Sequence, residues 1–100
     1  MTADKIREVA SKYKETLTNL NIPVNKLSDY TAYTHNRVAI LSHVHWMLYE
    51  VDKLVNKGKL EKAFRWLGCI QGCFFSLGML SLEDLKNDSR PNPTDEEGGQ

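Results

Sequence analysis

The chain is poor in the residue types that carry chemistry, and those present are not spaced to act together. It has two cysteines and three histidines in 100 residues. His43 and His45 lie two apart, so on a helix they point in different directions, and no acid completes a chelate with them. There is no His-Glu-x-x-His, no Cys-x-x-Cys and no phosphate loop, which argues against a zinc site, a dithiol redox centre or an NTPase. No metal, no cofactor and no enzymatic activity are therefore expected. Formal net charge is zero, and basic residues alternate with acidic ones, as in Lys5-Ile6-Arg7-Glu8. A duplex nucleic-acid binder needs a basic stripe, and none is visible.

Long apolar runs are also missing. From Trp66 to Leu82 the chain carries no formal charge, but the run holds Gln71, Ser76, Ser81 and three glycines. A spanning helix needs about 20 apolar residues, so no membrane span is expected. The first eight residues are polar and charged, unlike a secretory leader. Cys69 and Cys73 sit one helical turn apart, where a disulfide rarely forms. They read as two small buried thiols in a reducing compartment, with a two-ligand metal site as the alternative. Together these features predict a cytoplasmic protein.

What is present is helical periodicity. Ile6, Val9, Ala10, Tyr13, Leu17 and Leu20 recur at three- and four-residue steps, predicting a helix over 3–20 with Thr2 as its cap. Asn21-Ile22-Pro23 ends it. Ser28 or Asp29 can cap a second helix running to about Asn56. Its core stripe is Leu41, Val44, Leu48, Val51 and Val55, widened by Ile40, Met47 and Leu54 and continued upstream by Tyr33. Lys57-Gly58-Lys59 is a tight link to a third helix over 60–77, ended by Gly78. Ser81 caps a short fourth helix, with Asp84 near the acid position of a capping box. The expectation is one all-α domain over 1–88: a short N-terminal helix, a long antiparallel helical hairpin and a short C-terminal helix. Residues 89–100, and already the polar run from Asn87, read as a disordered acidic tail.

Two features depart from a plain bundle. Trp46 lies nearly opposite the core stripe of the second helix, beside Ala39, His43, Glu50 and Lys53. It reads as covered by helix one or the tail, as a subunit interface, or as a ligand-stacking ring. The third helix is apolar around most of its circumference, leaving a strip with Gly68, Gly72 and Ser76. Such a groove admits another backbone, and a mid-helix glycine costs about 1 kcal/mol against alanine, so a compensating contact is expected. A domain this small buries only about two-thirds of its surface. A homo-oligomer follows, with Gly68, Gly72, Ser76, Gln71 and Trp46 as interface candidates. Gln71 falls in the apolar arc and must bond, either between helices or to a ligand. The densest polar cluster on a helical segment is Tyr30, Tyr33, His35, Asn36 and Arg37. It is either a solvated helix end or a site where rings stack on a base and Arg37 grips a phosphate.

The stretch Lys59-Leu60-Glu61-Lys62-Ala63-Phe64-Arg65-Trp66-Leu67-Gly68-Cys69-Ile70-Gln71-Gly72, with Ser81-Leu82-Glu83-Asp84-Leu85-Lys86-Asn87-Asp88-Ser89-Arg90-Pro91, resembles small proteins of tailed bacteriophages. Leu60, Glu61, Ala63 and Trp66 are also similar to a pattern in the helical-hairpin sponges with which phages blunt CBASS and Thoeris immunity. That resemblance implies an oligomeric hairpin in the host cytoplasm that binds a signalling nucleotide without cleaving it. The alternatives are a phage module that contacts a host protein, and a structural or regulatory phage protein without a ligand.

Overall fold

A computed structural model describes residues 1–28 and 33–90, and the described residues form four α-helices. α1 spans Ala3–Asn19, α2 Arg37–Asn56, α3 Leu60–Ser76 and α4 Leu82–Asp88. The chain is all-α, as its periodicity predicts. No described helix is long and apolar enough to cross a membrane.

The helix ends follow from local chemistry. The Thr2 hydroxyl accepts from the Lys5 N–H at 3.1 Å and starts α1. Ser81 and Asp84 exchange side-chain and backbone bonds of 3.0 and 2.9 Å, a complete capping box for α4. Three helices stop in one way. After α1, α2 and α3 a residue with positive φ (Asn21, Gly58, Gly78) turns the chain left-handed. The next N–H then reaches back to a carbonyl of the last turn: Ile22 to Leu17, Lys59 to Leu54, Met79 to Phe74. This paired closure satisfies carbonyls the helix leaves free. Gly58 and Gly78 adopt the left-handed region without the Cβ clash that other residues meet there. α1 ends on Asn21, whose short side chain tolerates that region.

α1 runs antiparallel to α2, with Arg7 bonded to Asn56 at 3.2 Å and Lys14 paired with Asp52. α3 returns along α2, so that Arg37 at the start of α2 meets the Leu77 carbonyl after α3. The core between the three is Ile6, Val9, Ala10, Tyr13 and Leu17 from α1; Leu41, Val44, Leu48, Val51 and Val55 from α2; and Ala63, Leu67, Ile70 and Phe74 from α3. Leu41, Val44, Leu48, Val51 and Val55 of the predicted α2 stripe are buried, and Ile40, Met47 and Leu54 are partly buried beside them.

The structure corrects three expectations. α2 starts at Arg37, not at Ser28 or Asp29, with Asn36 as its cap: Asn36 Oδ1 accepts from the Ala39 N–H at 3.0 Å. Tyr33 therefore precedes the helix and does not extend its stripe. The physical reason is the path of the linker. His45 Nδ1 lies 2.9 Å from the Ile22 carbonyl, Asn25 N–H donates to the Ser42 carbonyl, and Leu27 N–H donates to His43 Nδ1. These bonds lay residues 22–27 along α2 toward its N-terminus, and the chain has to turn back before the helix can begin. Second, the ordered chain continues past Asn87, since Asp88 and Ser89 are bonded into the bundle. Third, Cys69 is exposed and only Cys73 is partly buried; both are free thiols. The remaining tail, 91–100, lies outside the described residues.

Candidate functional site

Three regions hold the residues singled out by the sequence. At the start of α2 the described residues of the predicted nucleotide cluster stand as follows. Asn36 is committed to capping. Arg37 is exposed, and its Nη1 donates to the Leu77 carbonyl at 2.6 Å, tying α2 to the end of α3. Tyr33 is 99% exposed. His35 is exposed as well, and Tyr30 lies outside the described residues. Beside this cluster is an open cleft of about 420 Å³, lined by Asn25, Lys26, Ser28, Asn36 and Ser42 among others. Sequence reasoning missed Lys26 and Ser28, because only the folded-back linker brings them to the helix end.

Further along α2, Trp46 is partly covered by its own chain. α3 and the linker contribute to that cover. Its ring centroid is 6.2 Å from that of Trp66 and 5.2 Å from that of His43, and the Lys26 ammonium stands 5.2 Å over it. A cation over an indole face is held by the ring quadrupole. Burial holds the His43 imidazole below its ordinary pKa, and the Lys26 charge adds to that.

This arrangement makes folding pH-sensitive. His43 Nδ1 accepts the Leu27 N–H at 3.0 Å and can do so only while unprotonated. Below about pH 6.5 the unfolded chain takes up a proton that the folded chain resists, so stability falls with pH. The melting temperature of the wild type should drop more steeply from pH 7 to pH 5 than that of His43→Asn, whose side-chain oxygen can still accept from Leu27. Parallel curves for the two proteins would refute this.

α3 divides its circumference. Ala63, Leu67, Ile70 and Phe74 face the core. On the outer side Phe64 and Phe75 are 47% and 46% exposed, with Leu60 half-open beside them. Gly68 and Gly72 lie between the phenyl rings, and a Cβ built on either meets nothing within 4 Å. Ser76 is exposed. Gln71 faces inward instead: its amide nitrogen donates to Tyr13 Oη at 3.1 Å and to Ser89 Oγ at 3.3 Å, bonds that join α3 to α1 and to the residue after α4.

Burial pushes the Cys73 thiol up, and the neighbouring Cys69 adds to it, so the reactive thiolate is disfavoured. Among the described residues no three His, Cys, Asp or Glu side chains stand close enough to hold a metal ion. The chain matches no family model, no curated protein and no solved structure.

Proposed function

We propose that this chain is a non-catalytic accessory protein of phage type that acts by contact, using the outer face of α3 as its protein-binding surface. The observation that carries this reading is the pair of half-exposed phenylalanines, Phe64 and Phe75, flanking two open glycines. Exposed aromatics beside positions that admit close approach are the composition of a contact core. The test is the double variant Phe64→Ser/Phe75→Ser. It should keep its helicity, since the rings lie outside the buried core, and lose the protein contacts that the wild type makes. A double variant that retains every such contact refutes the reading.

A second reading, capture of a signalling nucleotide in the host cytoplasm, is favoured by the cleft at the α2 N-terminus. Lys26 borders it, and the first N–H groups of α2 point to the same end. Its anchor is Lys26, with Arg37 and the Asn36 side-chain oxygen engaged elsewhere. Calorimetry with cyclic dinucleotides, cyclic trinucleotides and ADP-ribose derivatives tests it. Binding weaker than about 100 μM across the panel leaves no useful sequestration and removes this reading.

A further inference from the structure

We infer that the occupant of the α3 face is a second copy of this chain, packed α3 against α3 in antiparallel fashion about a two-fold axis near Ile70. The inference rests on the reading of that face as a contact surface and names its partner. Gly68 and Gly72 stand in the middle of a helix, where glycine is disfavoured. Among the described residues neither has a neighbour that a side chain would strike. No contact among the described residues accounts for them, whereas close approach of another backbone does.

The stripe is its own complement. Read in either direction it runs phenylalanine, glycine, glycine, phenylalanine. A two-fold axis near Ile70 sets Gly68 against Gly72 of the second copy and brings each Phe64 over the other helix near Phe75. A self-complementary patch of this kind is what an isologous dimer requires.

Charge points to the same orientation. α3 has an acid, Glu61, in its first turn and no basic residue in its last. Antiparallel packing brings the second copy's first turns, with their exposed Arg65, beside that last turn, where the helix dipole favours a cation. Arg65 is available, held only by a 3.4 Å contact to the exposed Glu61. The chain's own tail is a poor occupant, because residues 91–100 include no large apolar side chain. Two half-open phenylalanines and Leu60 leave roughly 250 Å² of apolar surface per copy. That is modest against the roughly 800 Å² per partner of a standard interface, so the dimer should be reversible, with a Kd of about 10–100 μM.

Sedimentation equilibrium from about 1 μM to 1 mM should give a monomer–dimer equilibrium in that range. Gly72→Leu should weaken it by about tenfold or more through blocked backbone approach, while the melting temperature of the monomer holds or rises. Orientation is read in a Cys69→Ser/Cys73→Ser background. Gly68→Cys and Gly72→Cys proteins should cross-link when mixed and oxidised mildly, and little when each is alone. Cross-linking of each variant with itself alone would overturn the antiparallel arrangement. A wild type that stays monomeric at 1 mM, but binds a different protein through Phe64 and Phe75, overturns the second copy and keeps the contact surface. A monomer whose Phe64→Ser/Phe75→Ser variant loses nothing sinks both.

Discussion

Phe74→Ala should lower stability by about 3–5 kcal/mol, the largest loss expected from a single truncation in this chain. Phe74 is 2% exposed and sits where α1 and α3 meet. Its ring meets Tyr13 edge-on, with centroids 5.0 Å apart and planes at 83°. Truncation removes the buried ring, opens a cavity beside a small existing void lined by Tyr13, Thr16, Met79 and Leu80, and deletes the edge contact, worth about 0.5–1.5 kcal/mol. The site cannot readily collapse, because Tyr13 is fixed by hydrogen bonds to Gln71 and Asp88. Domains of this size hold only about 5–15 kcal/mol in total. The variant should therefore melt at least about 12 °C lower, at roughly 4–8 °C per kcal/mol. Urea unfolding measures the loss directly, and a change below about 1 kcal/mol would show that the α1–α3 contact is not a main support of the fold.

The core was legible in the sequence for a physical reason. Burial against two neighbours demands a 3-4 repeat, and Leu41, Val44, Leu48, Val51 and Val55 display it in the letters. Helix ends were legible where their chemistry is local, as with Thr2, Gly58, Gly78 and the Ser81–Asp84 box. What stayed hidden depends on partners far away in the chain. Ser28 and Asp29 are good caps by residue type, but Asn36 wins because His45, Ser42 and His43 hold the linker along α2. Trp46 stood out alone, and only the hairpin brings Trp66 to it. The surroundings of the candidate ligand cluster were hidden in the same way. Arg37 looked free for a phosphate until α3 delivered the Leu77 carbonyl to it. Asp88 and Ser89 looked like the start of a polar tail because nothing in their own neighbourhood records that Lys12, Tyr13 and Gln71 await them.

Asp88→Ala should cost about 2–3 kcal/mol, and most of the loss should be felt at α4. α4 is seven residues long and contributes no fully buried side chain. A helix this short is not stable alone in water, so its docking depends on what it bonds to. The Asp88 carboxylate, 7% exposed, accepts from Lys12 Nζ at 2.6 Å and from Tyr13 Oη at 2.8 Å. Gln71 donates its amide to the same phenol oxygen at 3.1 Å, so the phenol proton must be turned toward Asp88. Burial pushes the Tyr13 phenol up from its ordinary pKa, with Asp88 adding to it against the lowering from Gln71, which keeps it a donor. Removing the carboxylate leaves a buried hydroxyl without an acceptor, and a hydrogen bond to a charged group is worth about 1.5–3 kcal/mol. Lys12 loses little, because its exposed ammonium returns to water. Hydrogen exchange should show the α4 amides losing protection in Asp88→Ala while those of Leu48 and Leu67 fall only by the change in global stability. Tyr13→Phe in the same background should cost less than it does in the wild type, because no orphaned hydroxyl remains. If α4 exchanges as slowly in Asp88→Ala as in the wild type, the apolar contacts of Met79, Leu80 and Leu85 dock it, and the polar chain from Lys12 to Ser89 is incidental.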